Sequence, residues 1–467
     1  MQGTSIVLAF LSLAGSAFAR PAPAEPVPSP SVTAIASLED RSLIGDLLGD
    51  SNGLLGDVVG DINNVLSEVG VGEVVGTQAW STISSALAQV TATTTQTNAA
   101  SAISQLSSIH AAKPSANLFE FVAAVAAEGL TANNVNDLLG FVDGLATGEN
   151  SMSNVNIQAP KDTIYPRKGK DPKYSVTESS LRSAIYIPPS FTNGKVQPVI
   201  LMPDISLLTG STYADPVWLN IPGYLLNDAQ TNAEYAAYAI NYIASITGKK
   251  VSIIGWSQGN INIQWAFKYF TSTQKSVRNH IAISPDYAGT VNANLICPEG
   301  LPCDPAVLQQ QYKGTSNFID QLRLNGGDSA YVPTTTVYSG LFDEIVEPQQ
   351  GTGASAYLND ARKVGVTNNY LQGICNPVLP AGSFYTHEGV LYNPIAFGLV
   401  KDALINGGAG QTSRLDLNTL CNMYLAEGLN VSDLLLTENA ILVAALALVL
   451  YEPKVSAEPA IKAYATY

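Results

Sequence analysis

Apolar residues change their period along this chain. From about residue 176, short apolar runs alternate with stretches of helical period. Val199-Ile200-Leu201-Met202, Val251 to Trp256, Ile281 to Ser284, Thr334 to Tyr338 and Tyr370 to Ile374 read as strands. Between them, Gln230 to Thr247 carries a helical pattern, opened by the caps Asn227-Asp228 and closed by Gly248. Gly259 to Tyr269 reads as a second helix, and Val390 to Ile405, ending at Gly407, as a third. Such alternation predicts an α/β fold with a mostly parallel central sheet covered on both faces.

Upstream the pattern differs. Residues 42–148 repeat Leu, Val, Ala and Gly at helical spacing, as in Leu43, Ile44, Leu47 and Leu48 or Leu118, Phe121, Val122 and Val125. They read as several short amphipathic helices of an accessory region without a nucleophile–base set. Residues 20–36 are rich in Pro, Ala and Ser and read as an unpacked linker or pro-segment. Ile6 to Leu13 is mostly apolar and Ser16-Ala17-Phe18-Ala19 ends in a small-x-small pattern, the form of a secretory signal. The expected organisation is a signal peptide (1–19), a Pro-rich segment (20–41), a helical accessory region (42–150), a linker (151–175) containing the dibasic pair Arg167-Lys168, and a catalytic domain (176–467). Near the C-terminus, the twelve apolar residues Ala440 to Tyr451 fall short of the roughly twenty that span a bilayer. They read as a buried helix or a wall beside a substrate pocket.

Composition narrows the function. Hydrophobic residues make up 46% of the 467, enough for a sizeable core. A net charge of −15 argues against a nucleic-acid binder, which needs a basic footprint. The four cysteines, Cys297, Cys303, Cys375 and Cys421, allow three pairings. The short loop through Pro298, Gly300 and Pro302 favours 297–303, which leaves 375–421. Neither Cys-x-x-Cys spacing nor a His cluster is present, so no metal site is expected. Asn430-Val431-Ser432 is an N-glycosylation sequon.

Gly255-Trp256-Ser257-Gln258-Gly259 fits G-x-S-x-G, a weak motif on its own because Gly and Ser are common. Its placement strengthens it: a strand precedes it and a helix follows, as a nucleophile elbow requires. The turn would strain Ser257, crowd out side chains at 255 and 259, and aim the Gln258 N–H at a developing oxyanion. A serine hydroxyl needs a base. Of three histidines, His110 falls in the helical region and His280 just before a strand, where packing or capping suits it. His387 lies in Phe384-Tyr385-Thr386-His387-Glu388-Gly389, between a strand and a helix, where a base belongs. The carboxylate should follow a strand between the two; Asp343, after Thr334 to Tyr338, fits, with Glu344 as competitor. The order Ser–Asp–His is that of α/β-hydrolases.

With these residues in place, the chain resembles the Candida antarctica lipase B family. The resemblance rests on LNDAQTNAEY (226–235), WSQGN (256–260), SPDYAGT (284–290), VPTTTVYSGLFDEIVEPQ (332–349) and THEG (386–389), spread over roughly 176 to 425. It implies an α/β-hydrolase fold and lipase or esterase activity on carboxylic esters without a cofactor. Ser257 would be nucleophile, Asp343 acid, His387 base and Asp286 a pocket residue. It implies a Cys375–Cys421 disulfide and a helix at 440–451 flanking the acyl pocket. The partners expected are a lipid or small ester and a lipid interface, with the chain a secreted monomer. One departure stands out. The family's first core strand is followed by Pro-Gly-Thr-Gly, which supplies oxyanion donors; here Met202-Pro203-Asp204-Ile205-Ser206 runs on quickly to Val217. A shortened oxyanion loop raises a rival reading, a catalytically impaired homologue kept as a binding protein.

Overall fold

A computed structural model describes residues 96–112, 125, 128–130, 154–202, 208, 211–297, 302–340 and 342–466. The expected signal peptide, the Pro-rich segment and most of the accessory region lie outside these residues. Helix α1 (Ala99–Ala112) is the longest described stretch of that region. It is followed by β1 (Ile185–Tyr186), β2 (Pro198–Met202), β3 (Asp215–Leu219), α2 (Ala229–Thr247), β4 (Val251–Trp256), α3 (Gly259–Tyr269), β5 (Val277–Ile283), β6 (Thr334–Tyr338), β7 (Val366–Tyr370), α4 (Pro394–Asn406) and α5 (Val431–Leu450), with shorter helical turns between.

The seven strands form one sheet in the order β1-β3-β2-β4-β5-β6-β7. Every pairing is parallel except that of the edge strand β1. The central strands β2, β4 and β6 are buried on both faces almost throughout, which is why they read as continuous apolar or Thr-rich runs rather than alternating ones. One face packs Ile200, Met202, Ile253 and Val277 against Tyr238, Ile240, Ile243 and Phe267 of α2 and α3. The other packs Leu201, Ile254, Ile281 and Val337 against Ile395, Leu399 and Ala403 of α4. The sheet order reverses direction around β2, so β4, carrying the serine, lies at its centre.

The helix signals hold closely. Asp228 caps α2 by accepting from the Gln230 N–H at 3.1 Å, and Gly248 closes it in the left-handed conformation, φ 71°. Several boundaries differ from the sequence reading. The strand expected at 370–374 is instead 366–370, with Leu371–Ile374 a helical turn, because Asn368 and Asn369 spend their amides on neighbouring loop and strand carbonyls. The helix expected from 390 starts at Pro394, capped by Asn393, after a separate turn at Gly389–Tyr392. Strand β5 begins at Val277, so His280 lies inside it rather than before it; its Nε2 is 3.0 Å from Asn260 Oδ1. The apolar C-terminal helix starts at Val431, nine residues ahead of its apolar run, behind a capping box of Asn430 and Asp433. No helix among the described residues is long and apolar enough to cross a membrane.

Residues 154–175, read from the sequence as a linker, pack onto the domain. Ile164 and Tyr174 are buried with the sheet, and Asp171 accepts from the Ser272 N–H at 3.0 Å. Strands β2 and β3 pair in parallel although only residues 203–214 connect them. Positions 203–207 and 209–210, where the oxyanion loop was expected to be short, lie outside the described residues. Both disulfides form as expected, 297–303 with Cα atoms 5.7 Å apart and 375–421 with 5.4 Å.

Candidate active site

Three parallel strands end on the same edge of the sheet, and each is followed by one candidate group. Ser257 follows β4. Its φ is 51°, the left-handed region that an L residue enters only when the surroundings impose it. The turn is tied by the Ser257 N–H donating to Ile283 O at 2.9 Å and by the Asn260 N–H and Nδ2 both donating to Ser257 O at 3.0 Å. The two glycines are required for different reasons. A Cβ on Gly259 would overlap the Met202 carbonyl, as the sequence suggested. A Cβ on Gly255 would strike the Asn260 amide and the Ile263 side chain, not backbone. Gln258 is the N-cap residue of α3, which places its N–H at the positive end of that helix, and its side chain donates to Leu225 O at 2.8 Å.

Asp343 follows β6 and is 1% exposed. Its Oδ1 accepts from the Ile345 and Val346 N–H groups at 3.1 and 2.7 Å, which fixes the carboxylate plane. His387 Nδ1 lies 3.0 Å from each Asp343 oxygen. That contact sets the tautomer: Nδ1 carries the proton and Nε2 is free to accept one. Nε2 is buried and has no hydrogen-bond partner among the described residues.

His387 is pinned through its backbone to all three strand ends. Its carbonyl accepts from Trp256 Nε1 at 3.3 Å and from Ser284 Oγ at 3.1 Å, and its N–H donates to Glu344 Oε2 at 2.9 Å. Trp256 immediately precedes Ser257, and its ring lies 5.3 Å from the His387 ring. Burial by itself pulls the imidazole pKa down. The Asp343 carboxylate and its hydrogen bond, followed by Glu344 and Asp286, outweigh burial and hold it above the usual 6.5.

Asp286, in the turn after β5, is fully buried and neither oxygen has a hydrogen-bond partner among the described residues. Burial first, and the Asp343 charge next, push its pKa to about 7, with His387 pulling the other way. Ser257, Gln258, Asp286, Asp343 and His387 therefore gather at one sheet edge. The four cysteines do not: 375–421 braces the layer under α4 and 297–303 lies beside α5. His110 is edge-on to Phe342 at 6.3 Å and 5.3 Å from Phe384, so α1 packs on the residues next to Asp343 and near His387 rather than supplying a base. Sequence reasoning missed Glu388 and Glu438, buried carboxyls behind His387. For Glu438 the available signal was a lone Glu in a strongly apolar helix.

No family model matches the chain. It is 30% identical over 314 residues to lipase B of Pseudozyma (Candida) antarctica, a match covering 64% of this chain and 87% of that protein. It superposes on the crystal structure of Aspergillus fumigatus lipase B with a TM-score of 0.75 and 41% identity, covering 90% of this chain and 98% of that one. With the nucleophile elbow, the parallel sheet and the carboxylate–imidazole pair in place, the chain belongs to the lipase B family of α/β-hydrolases.

Proposed function

We propose that this carboxylic ester hydrolase cleaves acylglycerol-type or smaller esters through an acyl-enzyme on Ser257. The observation that supports this is the state of His387. One ring nitrogen is held by Asp343 at 3.0 Å, and the other is buried without a partner on a loop anchored to the residue before Ser257. Ser257 Oγ attacks the ester carbonyl as its proton passes to Nε2, and Asp343 stabilises the imidazolium so formed. The Gln258 N–H donates to the oxyanion. The imidazolium protonates the departing alcohol, and water, deprotonated by the same nitrogen, releases the acid. Asp286, near His387 and neutral on the acid side of its pKa, is a hydrogen-bond donor in the pocket.

No cofactor enters this scheme. The chain is secreted, consistent with two disulfides and the signal-like N-terminus, and acts as a monomer on a lipid or small ester, including at a lipid interface. The binding-protein reading drew on a loop outside the described residues, and family membership does not favour it. Ser257→Ala tests the assignment. Hydrolysis of a short-chain nitrophenyl ester should fall to background and labelling by a phosphonate probe should vanish. Undiminished turnover would remove Ser257 from the mechanism.

A further inference from the structure

One residue beyond the Asp343–His387 pair, the same two loops are joined again by Glu344 and Glu388. Glu344 is half-buried with its Oε1 shielded, while Glu388 and Glu438 are fully buried. Glu344 Oε2 accepts the His387 N–H at 2.9 Å. Glu438, on α5, accepts from Thr386 Oγ1 at 3.0 Å and from Tyr392 OH at 2.7 Å. Four carboxyl oxygens remain without a hydrogen-bond partner among the described residues: Glu344 Oε1, both of Glu388, and Glu438 Oε2. What they face is one another, Glu388 pairing with Glu344 on one side and with Glu438 on the other.

Two carboxylates cannot hydrogen-bond; a carboxylic acid and a carboxylate can. Three charges in contact, two of them fully buried, would also repel strongly with little solvent to screen them. The other charged or titratable groups bearing on the cluster are Asp343, Glu347 and His387 from the two loops and Tyr392 beside Glu438; no Lys or Arg is among them. Protons shared between neighbouring carboxyls satisfy such a cluster without a cation.

We propose that protons shared along Glu344–Glu388–Glu438 clip the loop carrying Asp343 to the loop carrying His387 and to α5, making Glu388 and Glu438 positioning residues for the catalytic histidine. With two protons on three carboxyls, Glu388 donates to Glu344, Glu438 donates to Glu388, and Glu344 keeps the charge that receives the His387 N–H. Losing these protons sets like charges against each other across the joint that aligns His387 with Asp343. Burial, then neighbouring negative charge, pushes Glu344 and Glu438 to about 7 and Glu388 well above its usual range. The folded chain therefore holds more protons than the unfolded one from the ordinary carboxyl range upward. Stability conferred by the cluster is full in acid and falls as pH rises through the folded values.

The inference rests on His387 acting as the base, so the experiment pairs a kinetic arm with a thermal arm that does not depend on catalysis. In the intact chain, Glu388→Gln supplies an amide that donates to Glu344 and accepts from Glu438 but cannot ionise. Wild-type kcat on a short-chain ester should fall about tenfold or more between pH 7 and pH 9, and the variant's by no more than about threefold. The wild-type Tm should drop across pH 5 to 8 more steeply than the variant's. Glu388→Ala, lacking donor and acceptor, should lose kcat at every pH. Superimposable profiles and Tm slopes for wild type and Glu388→Gln overturn the proposal, as does a wild type with no alkaline decline. Glu438→Gln is the second variant, and failure of both Gln variants to fold also overturns it, because the amide should replace the protonated acid. Activity surviving in Ser257→Ala would instead overturn the catalytic assignment and leave the thermal result standing.

Discussion

Gly259 stands so close to Met202 that a Cβ on it would overlap the Met202 carbonyl oxygen. Helix α3 therefore starts directly over the end of β2, and Ser257 is held at the apex between them. Gly259→Ala should force the helix away from the strand. Overpacking of this kind costs about 1–3 kcal/mol. Thermal unfolding should show that loss, and kcat should fall with little change in KM because the serine is displaced. An Ala variant with wild-type Tm and kcat would mean that the contact is soft.

Asp343→Asn should preserve the fold and lose activity. The amide can donate to Nδ1, which favours the tautomer with the proton on Nε2, where it must be accepted. A loss on the order of 10⁴ in kcat is expected. The check is kcat on a soluble ester alongside an unchanged circular dichroism spectrum; a loss under tenfold would show that the Asp343–His387 contact is structural.

The pH–rate profile should rise later than an unperturbed histidine would dictate. His387 acts as a base only when neutral, and its pKa is held above 6.5. The acid limb of kcat/KM should accordingly be centred above pH 6.5. Asp286→Asn removes one of the charges that raise it, so the limb should move down toward that value. A limb that stays put or moves upward would contradict this electrostatic account.

The accessory region should matter to catalysis through packing. Leu106 of α1 is fully buried in a cluster with Phe384, Tyr385 and Tyr392, the residues flanking His387. Leu106→Ala should weaken that docking by about 2–5 kcal/mol. Limited proteolysis should then cut near α1 faster than in wild type, with kcat lowered. Unchanged cleavage would indicate that α1 is held by other contacts.

Asn430 is both a sequon residue and the cap of α5, accepting from the Ser432 N–H at 2.8 Å while its own N–H donates to Asp433. Asn430→Ala should cost about 1 kcal/mol, read as a lowered Tm. Asn430→Asp, which keeps the acceptor, should restore most of it.

Much of the site was legible from local pattern. Ser257 was recognisable because an elbow needs small residues at fixed offsets between a strand and a helix, and those constraints are written in adjacent residues. Asp343 and His387 followed from chain order and from the loops that bear them. The ends of α2 were legible because Asp228 and Gly248 act within one turn. Boundaries that depend on distant partners were not. The local pattern puts strand β7 four residues late because its polar Asn368 and Asn369 pair with a loop and with β6, contacts that no local period reveals.

The chain's own sequence thus determined the alternation of strands and helices and the elbow at Ser257, because short-range sterics and hydrogen bonding dictate each, and chain order made Asp343 and His387 the candidates beside it. Tertiary structure decided what surrounds them. It placed Trp256, Ser284 and Glu344 on the His387 backbone, left Asp286 buried without a hydrogen-bond partner among the described residues, and set Glu344, Glu388 and Glu438 behind His387. Those environments arise from residues up to 131 positions apart meeting in a low-dielectric interior, and proton affinity there depends on neighbours in space, which sequence spacing does not encode.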